Sequence, residues 1–83
     1  MTKVYEMGDK FISEHDAIIM LCVLDLNYLK GGGYTFTYGL IVVGGPTDIG
    51  NRWTAPFNSA KTSFTLEELK DACKTINDFN PLD

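Results

Sequence analysis

Apolar positions along this chain fall into two patterns, and each predicts a different kind of strand. From Ala17 to Leu24 they run without a break, and the stretch on to Leu26 contains no Gly or Pro. A continuous run rich in Ile, Val and Leu predicts a strand buried on both faces. From Tyr34 to Val43 the chain has strand periodicity instead. Tyr34, Phe36, Tyr38, Leu40 and Val42 point to one side, and Thr35, Thr37, Gly39, Ile41 and Val43 to the other. The two segments predict a hairpin, joined by a loop from Asn27 to Gly33 where three successive glycines interrupt regular structure. One small core meets only one face of the first strand, so its other face calls for a helix or a second subunit.

Shorter signals flank the hairpin. Lys10 to Ser13, after the turn-prone Gly8-Asp9, reads as an edge strand, and His15-Asp16 as a turn. A second glycine loop, Gly44 to Gly50, leads into an extended segment from Arg52 to Phe57, which Pro56 assigns to an edge or to its own end. Thr65-x-x-Glu68 is a capping box, with Phe64 ahead of it positioned to staple against Leu69. Leu66, Leu69, Ala72, Cys73 and Ile76 then recur at helical spacing, and Asn77 and Asn80-Pro81 supply the stop. The predicted class is α+β: a small bent antiparallel β-sheet of three to four strands, barrel-like, with one C-terminal α-helix. Residues 1–83 form a single domain.

Composition narrows the function. The chain has 83 residues, 7 basic and 11 acidic, a net charge of −4 and 45% hydrophobic content. That is ordinary globular composition, and a core this small gains stability from oligomerisation. The basic residues are scattered from Lys3 to Lys74, which disfavours a nucleic-acid partner, since phosphate grip needs clustered Lys and Arg. Met1 to Lys10 lacks the apolar stretch of a secretory signal. The longest apolar run, eight residues, falls short of the roughly 20 that span a bilayer as a helix. A soluble, intracellular protein without membrane association is expected. Cys22 and Cys73 both lie in apolar settings, which suits reduced thiols better than a disulfide.

Chemistry-bearing residues are sparse. One His and two Cys fall below the four ligands of a structural zinc site, so no metal is expected. His15, between Glu14 and Asp16, reads as part of a solvated turn, and neither Cys has a basic neighbour to activate it. Glu67 and Glu68 occupy the first turn of the predicted helix, where they favour its dipole. The chain is therefore read as not an enzyme, with no catalytic residue and no cofactor.

Binding is another matter. The Gly44–Gly50 loop lacks the Lys-Ser/Thr of a phosphate loop, yet its backbone N–H groups suit an anion. Asn51, Arg52 and Trp53 follow at once, and Arg52 and Trp53 are the sole residues of their types. Arg holds phosphate bidentately and an aromatic ring stacks on a base. Together with Tyr34, Tyr38 and Thr37 they form the candidate ligand-binding set. The competing reading places Trp53 in the core and pairs Arg52 with an acid. The row Tyr34, Phe36, Tyr38 equally reads as core or as a subunit interface, which favours a homo-oligomer.

The pattern Gly8-Asp9-Lys10-Phe11, two strands, Gly50-Asn51-Arg52-Trp53-Thr54-Ala55-Pro56 and a closing Thr65-x-x-Glu68-Leu69 resembles a group of small proteins encoded by tailed bacteriophages. The glycine loops at Gly31–Gly33 and Gly44–Pro46 look like elaborations of a shorter version. The resemblance implies a phage accessory protein acting in the bacterial host cytoplasm. Two functions follow as expectations. The first is sequestration of a nucleotide-derived immune signal, such as a cyclic nucleotide or a cyclised ADP-ribose, a small ligand suited to Arg52 and Trp53. The alternative is an inhibitor that blocks a host defence protein, of the nuclease or polymerase class, by protein–protein contact.

Overall fold

The computed structural model describes residues 3–14, 16–45, 55–73 and 78–82. Seven strands and one helix occur among them, in the order β1 (Val4–Glu6), β2 (Lys10–Ser13), β3 (Ile18–Tyr28), β4 (Tyr34–Gly44), β5 (Phe57–Ser59), β6 (Ser63–Thr65), α1 (Leu66–Ala72) and β7 (Phe79–Pro81). Five strands form an antiparallel sheet in the order β5-β4-β3-β2-β7, and β1 pairs with β6 in a separate ribbon. The class is α+β with a mostly antiparallel architecture, as expected, but the sheet is open. Its edges are β5 and β7, and no pairing joins them, so the barrel-like closure expected from sequence is corrected.

The hairpin of β3 and β4 is the backbone of the molecule, with eleven residues in each arm. Its turn is closed, because the Leu29 N–H donates to the Gly33 carbonyl at 3.0 Å and the Gly32 N–H to the Leu29 carbonyl at 3.1 Å. Gly31, Gly32 and Gly33 all adopt positive φ, a conformation that costs other residues dearly. β3 departs from the expectation of two buried faces. Ile19 and Leu21 are fully buried, whereas Ile18, Met20 and Cys22 are half-buried and Leu24 is exposed. A register shift between Val23 and Asp25 marks a β-bulge at Leu24. Gly39 makes room for it: a Cβ there would meet the Leu24 Cδ1 at 2.7 Å.

β2 forms where expected but lies inside the sheet, paired with β3 on one side and β7 on the other. β7 also corrects the C-terminus. The helix is not the last element, and it ends at Ala72 with Cys73 as its cap. Ile76 and Asn77 lie outside the described residues. Pro81 is tolerated in β7 because that strand is an edge. The helix start is as predicted: the Thr65 hydroxyl accepts from the Glu68 N–H at 3.1 Å, and the Glu68 carboxylate accepts from the Thr65 N–H at 2.9 Å.

The core sits on one face of the large sheet, between it and β1, β6 and α1. Phe11, Ile19, Leu21, Leu40, Leu69 and Phe79 are fully buried there, with Tyr5, Tyr38, Phe64 and Cys73 beside them. Aromatic rings do much of the packing. Tyr38 stacks on Phe57 at 5.5 Å and meets Phe64 edge-on at 5.1 Å, and Phe11 meets Phe79 edge-on at 5.4 Å. Such offset and edge contacts add about 1 kcal/mol each beyond simple burial.

Candidate functional site

β4 carries three of the six predicted ligand residues, and its alternation sends them to two faces. Tyr34, Phe36 and Tyr38 form one row, with ring centroids 5.2 and 5.8 Å apart. Thr37 points the other way. Its hydroxyl accepts from the Asn27 amide at 2.7 Å and donates to the Asn58 side-chain oxygen at 2.7 Å, so its hydrogen-bonding capacity is largely used across three strands. Asn51, Arg52 and Trp53 lie outside the described residues, as do most of the glycine loop before them and the candidate His15.

The row changes character along its length. Tyr38 is 2% exposed, and its hydroxyl donates to the Lys61 carbonyl at 2.7 Å. Burial raises this phenol above its ordinary pKa, so it stays neutral. Tyr38 therefore anchors the core from the same strand that, four residues earlier, presents Tyr34 to solvent. The cause is the short length of the neighbouring strands. β2 pairs with β3 only at Ile18–Met20, and β5 pairs with β4 only at Phe36–Tyr38. Beyond them the hairpin continues as a two-stranded ribbon. At its base Leu26 faces Phe36, the last β4 residue paired with β5, and beyond it Tyr28 faces Tyr34. On the ribbon Tyr28 is 80% exposed, Tyr34 52% and Leu26 41%, an uncovered apolar row continuous with the core face.

A pocket of about 320 Å³ opens at the base of this ribbon, lined by Glu6, Met7, Val23, Phe36, Tyr38 and Thr62. Sequence reasoning found Phe36 and Tyr38 but missed the rest. Glu6 and Met7 come from β1 and the turn after it, a strand of three residues that is too short to show a period. The signal for Tyr28 was present in its pairing position opposite Tyr34 across the glycine turn. The pocket's charged lining residue is a carboxylate, which disfavours phosphate at that mouth.

Reactive groups are muted. Burial raises the Cys73 thiol to about 11, and its Sγ lies 3.8 Å from the Ala55 carbonyl. Burial also raises the half-buried Cys22, so neither thiol gains thiolate character. Glu68 is committed to the helix cap and to Lys61. The hydrogen bond from Lys61, and then that from the Thr65 backbone, hold its carboxyl below the ordinary range. Among the described residues no group of three or more His, Cys, Asp and Glu side chains is arranged to hold a metal ion. No described helix is long and apolar enough to cross a membrane. Compared with protein families, curated proteins and solved structures, the chain matches none of them, so no role passes to these residues from a relative.

Proposed function

We propose that this chain is a non-enzymatic binding protein that acts by protein–protein contact, blocking a host defence protein of the nuclease or polymerase class. The observation that carries this reading is the uncovered row Leu26, Tyr28 and Tyr34 at the end of the β3–β4 ribbon, with the half-buried Phe36 at its base. Interface centres are rich in such rings, and rings held on paired strands lose little freedom on docking. The pocket at the ribbon's base offers space for one partner side chain, apolar below with the Glu6 carboxylate among its lining. The choice of a bacterial host target rests on the resemblance of the Gly8–Phe11 and Gly50–Pro56 motifs to small phage proteins.

Sequestration of a nucleotide-derived signal is the second reading, and the Asn51-Arg52-Trp53 sequence after a glycine loop favours it. The phosphate contacts would then come from Arg52, since Glu6 is the charged group of the ribbon pocket. One pair of experiments separates the two. Host protein captured by the wild type should be lost with Tyr28→Ser/Tyr34→Ser, whose circular dichroism should match the wild type. Capture that survives loss of both rings removes the ribbon reading. Native mass spectrometry of protein recovered from signalling bacteria addresses the other. A retained nucleotide-sized mass that disappears with Arg52→Ala would make sequestration the function.

A further inference from the structure

We propose that the open edge of β3, from Val23 to Tyr28, takes up an extended, basic segment of the partner protein as an added sheet strand. The proposal rests on the protein-contact reading above and names the shape and chemistry of what docks. The hairpin turn fixes which backbone groups face outward. The Leu29 N–H donates to the Gly33 carbonyl, and hydrogen-bonded pairs alternate along an antiparallel ladder. Asn27–Thr35 and Asp25–Thr37 are therefore the bonded pairs, and the N–H and C=O groups of Leu26 and Tyr28 point away from β4. At Leu26 a second observation agrees: its N–H donates to the Asp25 Oδ1 at 2.8 Å rather than to a strand. The segment leading into β2 covers this edge only as far as Leu21, which exchanges hydrogen bonds with Gly8 and Asp9. Beyond Leu21, β4 is the one described strand paired with β3.

A row of outward backbone groups specifies its occupant, because another extended backbone matches it at strand spacing. The edge is roughly 17 Å long, and a strand antiparallel to β3 would continue the line of β2. Its side chains alternate between two faces. On one face they meet the exposed Leu26 and Tyr28, which calls for apolar groups. At Val23 the same edge reaches the pocket of about 320 Å³, where Met7, Val23 and Phe36 are joined by Glu6. A Lys or Arg suits that place, with its stem on the apolar wall and its head at the carboxylate. On the other face the exposed Asp25 meets a second basic residue. In the free chain Asp25 holds the Leu26 N–H and puts a charge on the edge, which guards it against indiscriminate pairing. The net charge of −4 draws a basic partner as well. A second copy suits this edge less, because Val23–Tyr28 contains no basic residue to meet Glu6 or Asp25.

The probe is the fluorescein-labelled peptide amide Gly-Thr-Val-Thr-Val-Lys-Lys-Gly, followed by fluorescence polarisation. Antiparallel pairing sets its valines opposite Tyr28 and Leu26 and its lysines toward Asp25 and Glu6. The wild type should bind it and should not bind the same peptide with Glu for both Lys. Methylating the two valine backbone nitrogens, which face β3, should weaken binding about tenfold. Methylating the two threonine nitrogens, which face away, should change it little. Glu6→Gln/Asp25→Asn should weaken binding about fivefold, the worth of two exposed ion pairs. Leu26→Pro removes the outward N–H while sparing the β4 ladder, so it should abolish binding with an unchanged circular dichroism spectrum, whereas Leu26→Ala should retain most of it. Absence of binding by the wild type overturns the proposal. So does equal loss from valine and threonine methylation, or equal binding by the Pro and Ala variants. Self-association of the wild type in sedimentation velocity that Leu26→Pro removes would make a second copy the occupant and overturn it too. Host capture that still requires Tyr28 and Tyr34 after such a failure leaves the ribbon reading standing, so the two fail separately.

Discussion

Cys73 shows how much one position settles. It caps α1, its N–H donates to the Leu69 carbonyl at 2.9 Å, and its thiol is buried against the core. Desolvation lifts the thiol from an ordinary 9.0 to about 11. A folded-state pKa above the unfolded one favours the protonated thiol in the native state. Its contribution is complete below pH 9 and is lost as pH rises toward 11. Denaturant unfolding should therefore show stability falling over that window, and Cys73→Ala should flatten part of the slope. A slope unchanged by the substitution would assign the alkaline loss elsewhere. The apolar setting of this thiol was legible from its helical spacing with Leu66 and Leu69. Its role as the cap that ends the helix after Ala72 was not, because Ile76 continues the same spacing in sequence.

At the scale of elements, the helix start is the part most fully written in local sequence. The Thr65–Glu68 box needs only residues three apart, so it forms as its letters predict. Thr65→Ala should cost about 1 kcal/mol in denaturant unfolding, the usual value of an N-cap hydroxyl. Glu68 adds an acid-side dependence. Its carboxyl is held below the ordinary range by Lys61 and the Thr65 backbone. That contribution is present above the ordinary carboxylate pKa and fades as pH falls through the lowered value. Glu68→Gln should remove it, leaving a shallower loss of stability on acidification. The hairpin was equally legible in its alternation and its glycine turn. The bulge at Leu24 was not, since it depends on which residue of the partner strand lacks a Cβ. Nor were the three-residue strands β1, β5, β6 and β7, which are strands only because a partner stands beside them.

Over the whole molecule, the last described strand closes what the hairpin begins. Phe79 is fully buried, and β7 supplies the pairing that turns β2 from an edge into an interior strand. Phe79→Ala should therefore cost about 3–5 kcal/mol, as large-to-small changes of a buried ring do. A cost below about 1 kcal/mol, the scale of a surface position, would show that β7 is dispensable to the core. The same scale decides where binding surfaces lie. Tyr34 and Tyr38 are chemically alike and share a strand face, yet one is solvent-exposed and the other is core, because the neighbouring strands end between them.

What the amino-acid sequence determined on its own was local: two long strands, a glycine turn, a helix start, an apolar thiol and a shortage of catalytic groups. Each depends on residues within a few positions of one another, where backbone sterics and side-chain periodicity act directly. The tertiary structure alone decided that the sheet stays open, that β3 buries one face rather than two, and that the aromatic row runs from core to surface. Those outcomes depend on where distant segments stop and on what they leave uncovered. No periodicity within one segment encodes the length of its neighbour.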